Sequence, residues 1–93
     1  MMADRRFKPN PFIVARFFER LRGARAGRLG KTRLQVATGL KWSLFARYLD
    51  RLLDLGLLTV EEDSGDIYIK GTDRGWELYH SLLRVLDELI KEE

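Results

Sequence analysis

Lys31 to Glu62 reads KTRLQVATGLKWSLFARYLDRLLDLGLLTVEE, and its punctuation divides it into two helices and the start of a strand. In KTRLQVAT, Leu34 and Ala37 point inward while Lys31, Thr32 and Arg33 fill the first turn, which predicts a helix of about two turns. Gly39 stops it, because glycine adopts the left-handed backbone that ends a helix and turns the chain. Leu40 plugs the corner. The next run, from Trp42 to Leu55, places Phe45, Leu49, Leu52 and Leu53 on one continuous face, with Gly56 as its stop. From Leu57 the period shortens. LLTVEE and DIYIK are β-prone runs joined by a short DSG connection, which predicts a hairpin.

Outward from this centre the chain adds a helix on each side. Asn10 followed by Pro11 is a helix start, since Asn caps free amides and Pro at the first helical position gives up no hydrogen bond. Ile13, Val14, Phe17, Phe18 and Leu21 then recur at helical spacing. Residues 1–9 precede that start as a flexible basic leader with little to bury. Beyond the hairpin, Thr72 caps a last helix over residues 73–91. That helix carries two apolar stripes: Trp76, Tyr79, Leu83, Leu86 and Ile90 form one, and Leu78, Leu82, Val85 and Leu89 the other. One small core can hardly absorb both. The expectation is a dimer interface built from Trp76, Tyr79, Leu82, Leu83, Leu86, Leu89 and Ile90, with the first helix contributing. The fold class is therefore mainly α with a small β-hairpin, one domain over residues 10–93.

Composition narrows the function. The 93 residues include no Cys and one His, so cysteine-based metal sites, disulfide scaffolds and cysteine nucleophiles are excluded. There is no run of about 18 uncharged apolar residues to span a membrane, and MMADRRFKPN lacks the apolar segment of a secretory signal. A cytoplasmic location is expected. The net charge of +3 conceals its distribution: from Met1 to Arg51 there are 13 Lys/Arg against 3 Asp/Glu, and from Leu52 to Glu93 there are 4 against 11. A basic half of that strength suits an anionic partner, nucleic acid first.

Helix, helix, helix, hairpin, helix is the order of a winged helix–turn–helix, in which a braced third helix enters the DNA major groove. The quoted run, followed by IYIKGTDRGWELY, resembles the archaeal winged-helix DNA-binding proteins, which include small crenarchaeal chromatin proteins and predicted transcription regulators. The resemblance is carried by Lys31, Thr32, Leu40, Trp42, Tyr48-Leu49-Asp50, Leu52-Leu53, Gly56-Leu57, Tyr68 and Thr72-Asp73-Arg74-Gly75. It covers about two thirds of the chain, and it implies a DNA-binding homodimer. Two positions depart from the family. The recognition helix usually opens on Ser and here opens on Lys41, and Leu44 stands where the family is usually polar. Members of the family often dimerise through a long C-terminal helix, and here that helix is shorter.

Candidate contacts to double-stranded DNA follow from helix geometry. Lys31, Thr32 and Arg33 sit at a helix start whose open amides and positive dipole end favour phosphate. Lys41, Trp42, Ser43, Arg47 and Arg51 lie off the buried face of the third helix, where Arg can grip guanine or a phosphate. Trp42 has two readings, a stack against sugar or base and a lid over Leu40. Arg25 and Arg28, set among three glycines, form either a mobile phosphate-binding loop or a solvated linker. The acids Glu61, Glu62, Asp63 and Asp66 would be repelled by phosphate, which leaves the hairpin a peripheral role. Tyr68 is expected to face the core.

Enzymatic chemistry finds no footing. Gly30-Lys31-Thr32 echoes the end of a phosphate loop but lacks the upstream glycine and preceding strand. The pairs Glu61-Glu62 and Asp87-Glu88 are adjacent and point in different directions. His80 has no second ligand within reach, so neither metal nor cofactor is expected. The alternative function is a winged-helix protein–protein module whose basic face docks an acidic partner, with Leu44 and Trp42 as anchor. The abundance of Arg beside a single Asn and a single Gln suits a thermophilic source.

Overall fold

The computed structural model describes residues 7–91. Its elements are α1 (Pro11–Arg22), a 3-10 turn (Arg25–Gly27), β1 (Arg28–Leu29), α2 (Lys31–Thr38), α3 (Trp42–Asp54), β2 (Leu58–Asp63), β3 (Asp66–Gly71) and α4 (Asp73–Ile90). Residues 1–6 of the expected leader lie outside the described residues.

Each helix begins and ends for a local reason. The Asn10 side chain accepts a hydrogen bond from the Phe12 amide at 2.8 Å, and Pro11 opens α1. At the end of α2, Gly39 has φ 73 and turns the chain into α3. At the end of α3, the Leu57 amide donates to the Leu52 carbonyl at 2.9 Å and the Gly56 amide to the Leu53 carbonyl at 3.0 Å, the paired bonds of a Schellman stop. Two α1 arginines help close α2: Arg16 donates to the Thr38 carbonyl and Arg20 to the Ala37 carbonyl, both at 2.9 Å. Those carbonyls lack partners within the helix, so the two cations are spent on holding α1 to α2.

The core lies between α1, α3 and the sheet. Phe17, Phe18, Leu21, Leu34, Phe45, Leu52 and Leu58 are fully buried, each contributing roughly 1.5–3 kcal/mol by leaving water. Phe17 stacks on Phe45 with ring centroids 5.5 Å apart, and Phe18 stacks on Tyr79 at 5.7 Å. Tyr48 is buried as well, where the periodicity of α3 had suggested Leu53, which is half-buried.

The sheet differs from the expected hairpin. It has three antiparallel strands in the order β1-β3-β2, because Arg28 and Leu29 pair with Lys70 and Ile69. The segment that reads as a loop or linker is thus partly a strand. Two residues are too few for a period-2 pattern to show, and the three neighbouring glycines mask them. β2 and β3 pair from Leu58↔Gly71 to Asp63↔Asp66 across a two-residue turn.

α4 is seated through Thr72. Its hydroxyl donates its one proton to the Gly56 carbonyl at 2.6 Å, shared with the Leu57 carbonyl at 3.2 Å, and accepts from the Gly75 amide at 2.9 Å. A Cβ on Gly75 would stand 2.0 Å from the Leu57 oxygen. The Thr-x-x-Gly spacing therefore serves contact: Thr caps α4 and ties it to the end of α3, and Gly lets the two backbones touch.

Candidate nucleic-acid interface

Two helix starts lie side by side on one face. α2 begins at Gly30 with no side chain capping its amides, and Lys31, Thr32 and Arg33 are exposed there. α3 begins at Lys41, again without a side-chain cap, and Lys41, Trp42 and Ser43 are exposed. The Lys31 ammonium lies 5.4 Å over the Trp42 ring, which joins the two starts. Trp42 is 50% exposed. Its ring is 5.5 Å from that of Phe45, and half of it is open to solvent beside the start of α3.

With Phe45, Tyr48, Leu49 and Leu52 buried, the opposite ridge of a 3.6-residue helix is Ser43, Arg47, Asp50 and Asp54, all exposed. Arg51 occupies the shoulder beside Tyr48. Leu44 is half-buried against the core, so only part of its side chain is left for the protein-docking anchor expected of it. An open groove of about 690 Å³ is bounded by Arg25, Arg28, Lys31 and Arg33, with Tyr68 and Asp66 on its wing side. The segment Arg25–Gly30 thus supplies Arg25, Arg28 and Gly30 to one wall of the groove, with Arg28 held in a strand.

Arg28 requires a correction. Its guanidinium donates to Glu61 at 2.5 Å and Asp63 at 2.7 Å, and stacks 4.1 Å over the Tyr68 ring. Lys70 reaches the other Glu61 oxygen at 3.1 Å. Arg28 is therefore a clamp on the wing and not a loop cation held ready for phosphate. Tyr68 is likewise corrected: it lines the groove under Arg28, while Ile69 is the residue that turns inward. The wing's acids are partly neutralised from within.

These contacts set a pH dependence. Arg28, and then Lys70, holds the Glu61 carboxyl below the usual carboxylate range. Arg28, and then the Ser64 hydroxyl, does the same for Asp63, while the Arg28 pKa is raised in return. Both acids are thus ionised more readily folded than unfolded. Their contribution is complete above the ordinary carboxylate range and is lost as pH falls through the depressed values. Carboxyl carbon shifts followed by NMR are expected to titrate below that range for Glu61 and Asp63, and to move back towards it in Arg28→Gln, where only Lys70 and Ser64 still hold them down.

The expected dimer residues divide. Tyr79 is 2% exposed and Trp76 meets Phe18 edge-on at 5.2 Å, so both belong to this domain's own core, a correction to their place in the interface. Leu82 and Leu83 are half-buried against that core. The side left open belongs to the other stripe: Leu78 is 42% exposed, Val85 55% and Leu89 75%, and Ile90, at the end of the first stripe, is 69% exposed. Phe12 of α1 is exposed too. The two stripes are equal in sequence, and what separates them is which one meets Phe18.

Among the described residues no cluster of His, Cys, Asp or Glu could hold a metal ion, and no helix is long and apolar enough to cross a membrane.

A helix–turn–helix carrying a three-stranded wing, with basic residues at the starts of α2 and α3, defines the winged-helix class. Over residues 16–91 the chain matches the model of the winged helix-turn-helix family, and it belongs to that family. A relative in Methanocaldococcus jannaschii, the uncharacterized protein MJ0287, is 31% identical over 84 residues, covering 90% of this chain and 80% of its own. Among solved structures, F93 from STIV, a winged-helix DNA-binding protein, has a TM-score of 0.69 at 18% identity, covering 88% of this chain and 91% of its own. Sso10a-2, a DNA-binding protein from Sulfolobus solfataricus, has a TM-score of 0.65 at 18% identity, covering 92% of this chain and 100% of its own. Sco5413, a MarR family transcriptional regulator from Streptomyces coelicolor, has a TM-score of 0.68 at 20% identity over 78% of this chain, which spans 51% of that regulator. At these identities the structures share a fold.

Proposed function

We propose that the chain binds double-stranded DNA as a homodimeric transcription regulator or chromatin-type protein, through the starts of α2 and α3. The observation that carries this reading is the sorting of the charges. Arg16, Arg20 and Arg28 are spent on the fold, while Lys31, Arg33 and Lys41 are exposed together on one face. Phosphate neutralisation by Lys31, Thr32, Arg33 and Lys41 supplies affinity, and Trp42, Ser43, Arg47 and Arg51 lie where α3 meets base edges. The likeness to F93 and Sso10a-2, both DNA-binding proteins, supports the same reading. The test is titration of labelled mixed-sequence duplex at several salt concentrations. Affinity falling by about 0.9 log units per log unit of salt for each phosphate contacted supports the proposal. Absence of binding at low salt refutes it.

Homodimerisation rests on the open α4 stripe. Leu78, Val85 and Leu89 would form a sticky patch on an isolated monomer, and a second copy buries like against like. Sedimentation equilibrium is expected to give twice the 10.9 kDa chain mass for the wild type. The Leu78→Asp, Val85→Asp double variant is expected to sediment as a folded monomer with an unaltered circular dichroism spectrum. A wild type that is already monomeric at micromolar concentration contradicts this part of the proposal.

A further inference from the structure

The wing carries most of its charge on one face. Side chains alternate along a strand, and Arg28 pairs with Lys70 while Glu61 pairs with Tyr68, so Arg28, Glu61, Asp63, Tyr68 and Lys70 share that face. Arg28 reaches from β1 across the middle strand. Its guanidinium lies over the Tyr68 ring of β3, and its two arms end on Glu61 and Asp63 of β2. Lys70 closes the group at 3.1 Å from Glu61. Two cations meet two carboxylates, so the group is neutral as a whole.

Arg28 and Tyr68 also line the groove whose other wall is the start of α2, with Lys31 and Arg33 there and Asp66 on the wing side. The members of the charged group are partly exposed, and ion pairs in that setting add little to stability. Their larger effect is on the field beside the groove, since a bare carboxylate repels phosphate over about 8 Å at physiological salt. We infer that the groove between α2 and the wing seats the sugar–phosphate backbone of one DNA strand, and that Arg28 admits it by cancelling the charge of Glu61 and Asp63, without bonding a phosphate itself. This rests on the reading of the chain as a DNA-binding protein. It makes the acidic hairpin one wall of the channel, and Arg28 a residue that acts on DNA only through its two carboxylate partners.

The test uses the full chain with labelled mixed-sequence duplex at several salt concentrations, beside thermal denaturation. Arg28→Gln leaves one carboxylate uncompensated and is expected to weaken binding about fivefold. Adding Asp63→Asn restores the local balance and should return affinity to within about twofold of wild type, with an unaltered salt slope. Adding Asp87→Asn instead restores the same net charge on α4, away from the wing, and should leave binding weak. Lys70→Gln rescued by Glu61→Gln is a second pair that reads the same effect with the Arg28 to Asp63 contact in place. The inference is overturned if Arg28→Gln binds as wild type does, or if Asp87→Asn rescues it as well as Asp63→Asn. It is equally overturned if the Arg28→Gln, Asp63→Asn variant stays weak with a slope lower by about 0.9, the mark of a lost phosphate contact. A wild type that fails to bind at low salt overturns the DNA-binding reading itself, and the inference with it.

Discussion

Gly75→Ala is expected to destabilise the domain by about 3 kcal/mol or more, at the upper end of the range for over-packed sites. The added methyl would stand 2.0 Å from the Leu57 oxygen and 2.9 Å from the Phe18 ring. Neither neighbour can give way cheaply. The Leu57 carbonyl already accepts from the Thr72 amide at 3.1 Å and from its hydroxyl, and Leu57 itself is buried at the stop of α3. Relief would require α4 to lift, taking Trp76 and Tyr79 off Phe18. For a domain of this size the melting temperature should fall on the order of 15 °C, read by circular dichroism. Gly23→Ala is the control. Its Cβ meets nothing nearer than 3.6 Å at an ordinary φ of −79, so it should stay within about 0.5 kcal/mol of wild type. A Gly75→Ala variant that melts with the wild type would show that the seat of α4 yields.

The second large effect is expected at the start of α2. Removing both Lys31 and Arg33 should weaken duplex DNA binding roughly tenfold per cation and flatten the salt dependence by nearly two units, at about 0.9 per lost phosphate contact. The reason is local: both cations flank helical amides that no side chain caps, so removing them strips charge from a site that already favours an anion. Arg20→Ala removes a charge from the same half of the chain but from a residue bonded to the Ala37 carbonyl. It should cost roughly 1 kcal/mol of stability and leave the slope unaltered. Salt-dependent anisotropy titrations of the three proteins check this. Equal slopes in all of them would place the DNA face elsewhere.

How much of this was legible follows from which signals are local. The long helices, their stops at Gly39 and Gly56 and the β2–β3 hairpin are written in periodicity and punctuation, and the structure keeps them within a residue or so. β1 is not, because it exists only through its pairing with Lys70 and Ile69. Arg28 looked like Arg25 and Lys31. Its assignment to the wing depends on a register that places Glu61 and Asp63 within its reach, and pairing between residues 33 and 35 positions apart leaves no trace in composition. Tyr79 and Leu78 are neighbours with similar apolar character, yet one meets Phe18 and the other meets solvent. The signal that was available and unread is Thr72-x-x-Gly75, a cap spacing in which a glycine inside a helix marks a close approach.

The shared Leu57 carbonyl has a consequence for geometry at larger scale. Because the end of α3 and the start of α4 are bonded to one another through it, the joint between α3 and the open apolar stripe of α4 has no slack. In a dimer closed by α4, the two α3 helices would stand like the tips of calipers with a welded hinge, their gap inherited from α4. Half-sites at another separation along the duplex would then be accommodated by the DNA, which must twist or bend to meet the tips, and the cost of that deformation would depend on the base steps lying between them.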